Sequence, residues 1–345
     1  MLRAKVTNTV MADPHLSPNV HDSLDRPDAG GLAFRAIGVT LGVLAGLMLL
    51  GVLIWWILRM FQRSPSSVPI TLTKGQTLVP LVRALGHRDQ DQPGIARQAP
   101  GRLDQEEVLR LGFGNVEVDT YLIGDTLSVG HSCFLNPGKN CPETLREAYL
   151  QSLADRFVQF GDIYQGSLKL GVGQRFVLMV DVKSEATPTY EALNSLLAEF
   201  NARYPGFLTE YLADGSVRPG AVDVLLSGNR VSPQTLKDQP VRFAALDGRI
   251  LGDLDDPARQ YGPDVIPWVS QSWRDVFGPF SEGVPFSEDV SQELEGIVQL
   301  AHAQGRKVRF WATPDSEGFW TALLSKGVDI INTDDYGRLA TFLRT

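Results

Sequence analysis

Ala36 to Leu58 forms an apolar run that contains no charged residue. A helix of about 20 apolar residues crosses the hydrocarbon core of a bilayer. Trp55 and Trp56 stand near one end of the run, and Arg59 and Arg63 follow. Indoles and guanidinium groups favour the membrane interface. The run is too long and starts too late for a cleaved signal peptide. The pattern therefore predicts a transmembrane helix over residues 36–58, with a polar, disordered tail over 1–35 and a linker over 59–68.

From residue 69 the pattern changes. Short apolar runs alternate with stretches of helical period. Strands are expected over Leu78–Leu85, Asn115–Asp119, Arg175–Val182, Val222–Leu226, Val241–Leu246, Val265–Val269, Lys307–Trp311 and Val328–Asn332. Helices are expected over Asp104–Leu111, Pro142–Phe160, Pro188–Tyr204, Ser291–Gln304 and Ser316–Lys326. Gly305 follows the fourth helix in the position of a C-terminal cap. Strands alternating with helices indicate a parallel α/β domain over residues 69–345. Its length suits a (β/α)8 TIM barrel, typically about 250 residues.

Composition narrows the partners. The chain has 345 residues, is 43% hydrophobic and carries a formal net charge of −8. It can bury a sizeable core. Residues 1–35 carry balanced charges, so the acidic excess lies beyond them. That balance argues against a nucleic-acid partner, which requires a basic face.

The chemistry lies where strands end. In a (β/α)8 barrel the site is at the C-terminal face. Glu117 and Asp119 are two apart in a strand, so both point to one face while Val116 and Val118 pack the other way. Close carboxylates cannot both ionise cheaply without a partner. A hard divalent cation with oxygen ligands resolves that cost. A turn at Gly124–Asp125, the run Thr126–Val129 and then His131 follow. Asp181 and Lys183 end another strand, again two apart, and Trp311 ends the KVRFW strand. Beyond the apolar run the histidines are His87, His131 and His302. His302 falls in the last turn of a helix, where a cation suits the dipole. That leaves His87 and His131 as candidate acid and base. Asn229 and Arg230 fit either substrate contact or a turn, and Asp334 and Asp335 read as a helix cap.

The pattern VEVD…VGH, then VDVKS, then RFWATPD and GVDIINTDD resembles the glycerophosphodiester and phosphatidylinositol-specific phosphodiesterases. LLSGNR (Leu225 to Arg230), AHAQGRKVRFWATPD (Ala301 to Asp315) and INTDD (Ile331 to Asp335) are very like the altered inheritance of mitochondria protein 6 family. The resemblance runs from about Leu78 to Leu343. It implies a PI-PLC-like barrel with a metal site of Glu117, Asp119 and Asp181 for Mg2+ or Ca2+. It implies a catalytic pair of His87 and His131, a Lys183 that faces the phosphate, and a Trp311 that lines the pocket. The chain is also similar to the sphingomyelinase D enzymes, which place a disulfide in the loop after the second histidine; Cys133 and Cys141 stand in that loop. One stretch departs: the family's His-Asn-Asp-Tyr-like run is His87-Arg88-Asp89-Gln90 here.

The physical reading agrees with a phosphoric diester hydrolase. A divalent cation and Lys183 neutralise an anionic diester, and two histidines move protons. The substrate is then a glycerophosphodiester or phospholipid-type diester. A lyase-type cleavage to a cyclic phosphate and a non-catalytic barrel that binds lipid head groups are the alternatives. If Cys133 and Cys141 are oxidised rather than free thiols, the barrel belongs in a lumen or outside the cell. The charges flanking residues 36–58 are nearly balanced and do not set the orientation.

Overall fold

The computed structural model describes residues 81–86, 108–130, 133, 141–164, 175–254, 261–280 and 285–344. The tail, the span over 36–58 and the linker lie outside the described residues, as do His87 and His131. Among the described residues no helix is long and apolar enough to cross a membrane.

The described strands are β1 (Leu81–Gly86), β2 (Phe113–Ile123), β3 (Thr126–Val129), β4 (Glu143–Thr144), β5 (Phe176–Val182), β6 (Glu210–Leu212), β7 (Val217–Arg218), β8 (Val222–Gly228), β9 (Val241–Arg242), β10 (Ala244–Arg249), β11 (Trp268–Ser272), β12 (Lys307–Trp311) and β13 (Ile330–Thr333). Eight of them, β1, β2, β5, β8, β10, β11, β12 and β13, pair in parallel in chain order. β1 pairs with both β13 and β2, which closes the sheet into a barrel. The expected (β/α)8 arrangement is therefore present. The described helices are α1 (Gln151–Phe160), α2 (Ala186–Arg203), α3 (Pro233–Lys237), α4 (Trp273–Phe277), α5 (Glu288–Ala303), α6 (Glu317–Ser325) and α7 (Tyr336–Phe342).

Both faces of β2, β5, β8, β10, β11, β12 and β13 are largely buried, as parallel strands covered by helices require. Phe176, Leu178 and Val180 join the large core shared with the helices, including Tyr190, Leu193, Leu197 and Phe200 of α2. Val177 and Met179 instead join a second cluster with Leu225, Ala245, Trp268 and Ile330. The period of two separates outward from inward residues. The inward series on β5 is thus Val177, Met179, Asp181. It starts apolar and turns acidic at the strand's C-terminal end.

Several boundaries differ from expectation. The helix expected over 142–160 starts later: Glu143 and Thr144 pair with β3 as β4, and a π-helical turn over Arg146–Leu150 runs directly into α1. Residues 241–246 divide between β9, which joins a small sheet with β6 and β7, and β10 in the barrel. The expected strand at 265–269 begins instead at Trp268, directly after Pro267, which has no N–H for a ladder. β2 runs past Asp119 because its last four residues turn back into a hairpin with β3. Ser287 accepts from Val290 N and starts α5 earlier than expected, while Asp335 caps α7 by accepting from Arg338 N. His302 pairs with Asp329 at 2.8 Å, a contact that ties α5 to the chain before β13.

Cys133 and Cys141 form a disulfide with Cα atoms 5.3 Å apart, and both are buried. It closes a short loop after β3. Replacing both with alanine is expected to lower stability by about 2–3 kcal/mol. Thermal midpoints of parent and variant without reductant measure the loss, and added reductant should produce it in the parent alone.

Candidate active site at the C-terminal end of the barrel

β2 and β5 lie in register with Asp119 opposite Asp181, and Ser227 of β8 is the next partner at that level. Neighbouring strands are about 4.8 Å apart, so the two carboxylates stand side by side. Glu117 lies one inward step below Asp119. Glu117, Asp119, Asp181, Lys183 and Trp311 all line one cavity of about 430 Å³, together with Ser227, Gly228, Asn229, Arg249 and Arg309.

Lys183 follows β5 and bridges the carboxylates. Its Nζ lies 2.6 Å from Asp181 Oδ2 and 3.3 Å from Asp119 Oδ1. The remaining oxygens, Asp119 Oδ2 and Asp181 Oδ1, are buried without a hydrogen-bond partner. Burial pushes the Asp119 carboxyl up to about 6, with Asp181 and Glu117 adding to the rise and Lys183 opposing it. The Asp181 carboxyl is raised too, first by burial and then by Glu117. Burial works against the Lys183 ammonium, but Asp181 and Asp119 prevail and hold its pKa above the ordinary value.

Glu117 faces another cation. Arg309 Nη2 donates to Glu117 Oε2 and, at 2.7 Å, to Asn332 Oδ1; its Nη1 lies 3.6 Å from Asp247 Oδ2. Arg309 is almost wholly enclosed. Among the described residues no three histidine, cysteine or acidic side chains converge as a metal cage. The donor set nevertheless suits a hard cation. Two unsatisfied buried carboxylate oxygens on adjacent strands are an oxygen-ligand pair of the kind such ions take. Gly228 supplies the clearance. It has φ +65°, and a Cβ there would collide with Asp181 Oδ1 and the Val182 carbonyl.

The histidines expected as acid and base are outside the described residues. β1 ends at Gly86, paired with Val116 of β2, and Gly130 N donates to Asp119 O at 3.1 Å. Asn229 Nδ2 donates to Ser184 O at 2.8 Å, and Arg230 pairs with Asp253 at 2.8 Å, so Arg230 serves a turn rather than the cavity.

The sequence reasoning missed Arg309, Asp247 and Arg249. Asp247 is fully buried and accepts from Ser227 Oγ at 2.9 Å and from Ser270. Arg249 Nη1 lies 3.2 Å from Asp247 Oδ2. A signal was present for Arg309. In KVRFW it alternates with Val308 and Phe310, which puts it on the face of Trp311. Asp247 and Arg249 stand two apart in the same way on β10.

No family model matches the chain. Among curated proteins it is 26% identical over 243 residues to an altered inheritance of mitochondria protein 6 homolog of Arthroderma benhamiae, covering 66% of this chain and 74% of that one. It is 28% identical over 260 residues to altered inheritance of mitochondria protein 6 of Eremothecium gossypii, covering 68% of this chain and 65% of that one. The match thus spans a little under two thirds of the second relative's length. The resemblance read from the motifs therefore extends over about two thirds of this chain. Among solved structures, a glycerophosphodiester phosphodiesterase from Parabacteroides distasonis aligns with TM-score 0.43 and 16% identity over 77% of this chain and 100% of that one. One from Agrobacterium tumefaciens aligns with TM-score 0.40 and 12% identity over the same shares, 77% and 100%.

The raised Asp119 carboxyl has a consequence for stability. Between its ordinary 3.8 and its folded value of about 6, the folded chain holds a proton that the unfolded chain has lost. Stability therefore falls as pH rises through that window and levels off above it. Asp119→Asn removes the cost and is expected to stabilise the cation-free protein above pH 6 by about 1–3 kcal/mol. The two proteins should converge near pH 4, as thermal midpoints across that range will record.

Proposed function

We propose that the chain is a membrane-anchored, metal-dependent phosphoric diester hydrolase acting on a glycerophosphodiester or phospholipid-type substrate. The observation that carries this reading is the in-register pair Asp119 and Asp181, each with a buried unpartnered oxygen, beside the Lys183 ammonium. Among the described residues four carboxylates, Glu117, Asp119, Asp181 and Asp247, stand in and under the cavity with three cations, Lys183, Arg249 and Arg309.

Asp119 and Asp181, with Glu117 below them, would hold the cation, with Mg2+ first and Ca2+ as the alternative. When bound it neutralises the diester and stabilises charge developing on the phosphoryl oxygens. Lys183 adds a fixed positive charge at the same end of the barrel. Trp311 lines the pocket on the side of the head group. His87 and His131 are assigned the proton transfers: one takes a proton from water or a neighbouring substrate hydroxyl, and the other protonates the leaving oxygen. Hydrolysis and a lyase-type outcome differ only in which hydroxyl attacks, and phosphorus NMR of the product separates them. The Lys183 bridge favours a second reading in one respect, because it compensates the carboxylates without an ion. That arrangement also suits a non-catalytic head-group binder.

Turnover of glycero-, inositol- and choline-phosphodiesters is expected to vanish in chelator and to return with Mg2+. Activity that survives excess chelator rules out the metal reading. No turnover with any diester or ion favours the binder. His131→Ala should lower kcat by about 10²-fold or more. His87→Ala is the sharper test, because its motif departs from the family's. Wild-type turnover there removes His87 from the reaction.

Anchoring through residues 36–58 and placement of the barrel in a lumen or outside the cell belong to the same proposal. The Cys133–Cys141 disulfide supports an oxidising compartment. Protease should spare the barrel in sealed membranes, and both thiols should label only after reduction. Digestion from the cytosolic side with free thiols would place the barrel in the cytosol.

A further inference from the structure

The cavity wall formed by β10 and β12 differs from the acidic wall on β2 and β5. Arg249 ends β10 and Trp311 ends β12, and both line the cavity. The Arg249 guanidinium carbon lies 5.1 Å from the Trp311 ring centroid, and that of Arg309 lies 5.9 Å from it. The protein's own cations therefore occupy the indole.

Arg249 is held firmly. Its Nη1 donates to the Asp247 carbonyl at 3.1 Å, to Asp247 Oδ2 at 3.2 Å and to the Gly248 carbonyl at 3.2 Å. Its Nη2 lies 3.5 Å from Ser227 Oγ. The charges it meets are unequally visible from the cavity. The Asp247 side chain is 0% exposed and that of Arg249 is 23% exposed. A bound molecule therefore meets the Arg249 side chain and not its counter-ion.

These facts bear on the head group. An aromatic face is the surface on which proteins recognise quaternary ammonium groups. Here a choline-type head group would have to displace Arg249 from Trp311, and it would still lie against like charge. A carboxylate or phosphate instead finds a guanidinium already oriented for charge-assisted hydrogen bonds. We propose that Arg249, stacked on Trp311, makes this end of the cavity selective for a phosphodiester whose alcohol carries a second anionic group, and that choline diesters are poor substrates. The inference rests on the phosphodiester reading of the same site.

The experiment uses the full chain in detergent with Mg2+ and compares glycerophosphoserine, glycerophosphoethanolamine and glycerophosphocholine. The serine diester differs from the ethanolamine diester by one carboxylate. The expected result is a kcat/KM for the serine diester at least about 10-fold above both others, in keeping with one charge-assisted contact. Arg249→Met should collapse that preference to within about 2-fold and raise the choline diester relative to the others, because one of the two cations against the indole is gone. Arg249→Lys should keep the charge preference and lose part of the affinity. Equal rates in the parent, a choline preference, or an unchanged ratio in Arg249→Met overturns the proposal.

A binding arm separates this inference from the parent reading. Kd values for phosphoserine, phosphoethanolamine and phosphocholine are measured by calorimetry on the same proteins. If no diester turns over, the hydrolase reading fails. The anion preference then stands on tighter phosphoserine binding that Arg249→Met abolishes, and falls on equal binding. Should Arg249→Met not fold, Arg249→Gln removes the charge and retains a donor at the buried Asp247. Should that fail as well, the parent's three Kd values decide.

Discussion

The register between β2 and β5 is the constraint on which the site depends. It sets Asp119 opposite Asp181 at the mouth of a closed barrel. A slip of one residue in either strand would turn that strand's carboxylate outward into the apolar layer beneath the helices. In register, they stand side by side in a partly dry space; burial raises both pKa values and creates a demand for positive charge. Lys183 meets part of that demand from two residues beyond Asp181. Gly228 leaves room for the Asp181 carboxylate, since any side chain there would strike it.

The barrel interior divides along its axis. Val177, Met179, Leu225, Ala245, Trp268 and Ile330 form an apolar layer. Toward the C-terminal ends of the same strands the inward positions become Asp181, Ser227, Asp247, Ser270 and Asn332. The apolar layer and the helix-facing core stabilise the fold. The polar layer costs stability unless every charge in it is paired. Breaking a buried ion pair by removing one partner costs about 3–5 kcal/mol. Arg309, inserted between Glu117 and Asn332 and close to Asp247, is the residue that joins the two sides of the interior. Its value lies in orienting Glu117 as much as in any net gain in stability.

Trp311 shows how one position takes its meaning from its neighbours. As a strand-terminal aromatic it lines the cavity with an apolar ring. With Arg249 and Arg309 against the indole, the same side chain becomes part of a cationic surface. The backbone turns sharply right after it, since Ala312 adopts φ 55°, a conformation that disfavours a Cβ. Such outliers persist where surrounding structure fixes them, and they are concentrated at functional rims.

Much of this architecture was legible in the chain itself. Strands such as FVLMVDV and KVRFW announce themselves because burial on both faces demands continuous apolar residues, and a terminal Asp, Lys or Trp breaks that demand visibly. Strand periodicity alone placed Glu117 with Asp119, and Asp181 with Lys183, on common faces. The three motifs suggested which of these groups belong together. What a linear pattern does not carry is which strand lies beside which, and at what height. Closure through β1 with β2 and β13, the level pairing of Asp119 with Asp181, and the contacts of Arg309 with Glu117, Asn332 and Asp247 depend on pairings between distant segments. The two-part break at residues 241–246 has the same origin, because only the partners β6 and β8 distinguish β9 from β10. Local period determined which side chains turn inward; the hydrogen-bond register between strands decided which of them meet.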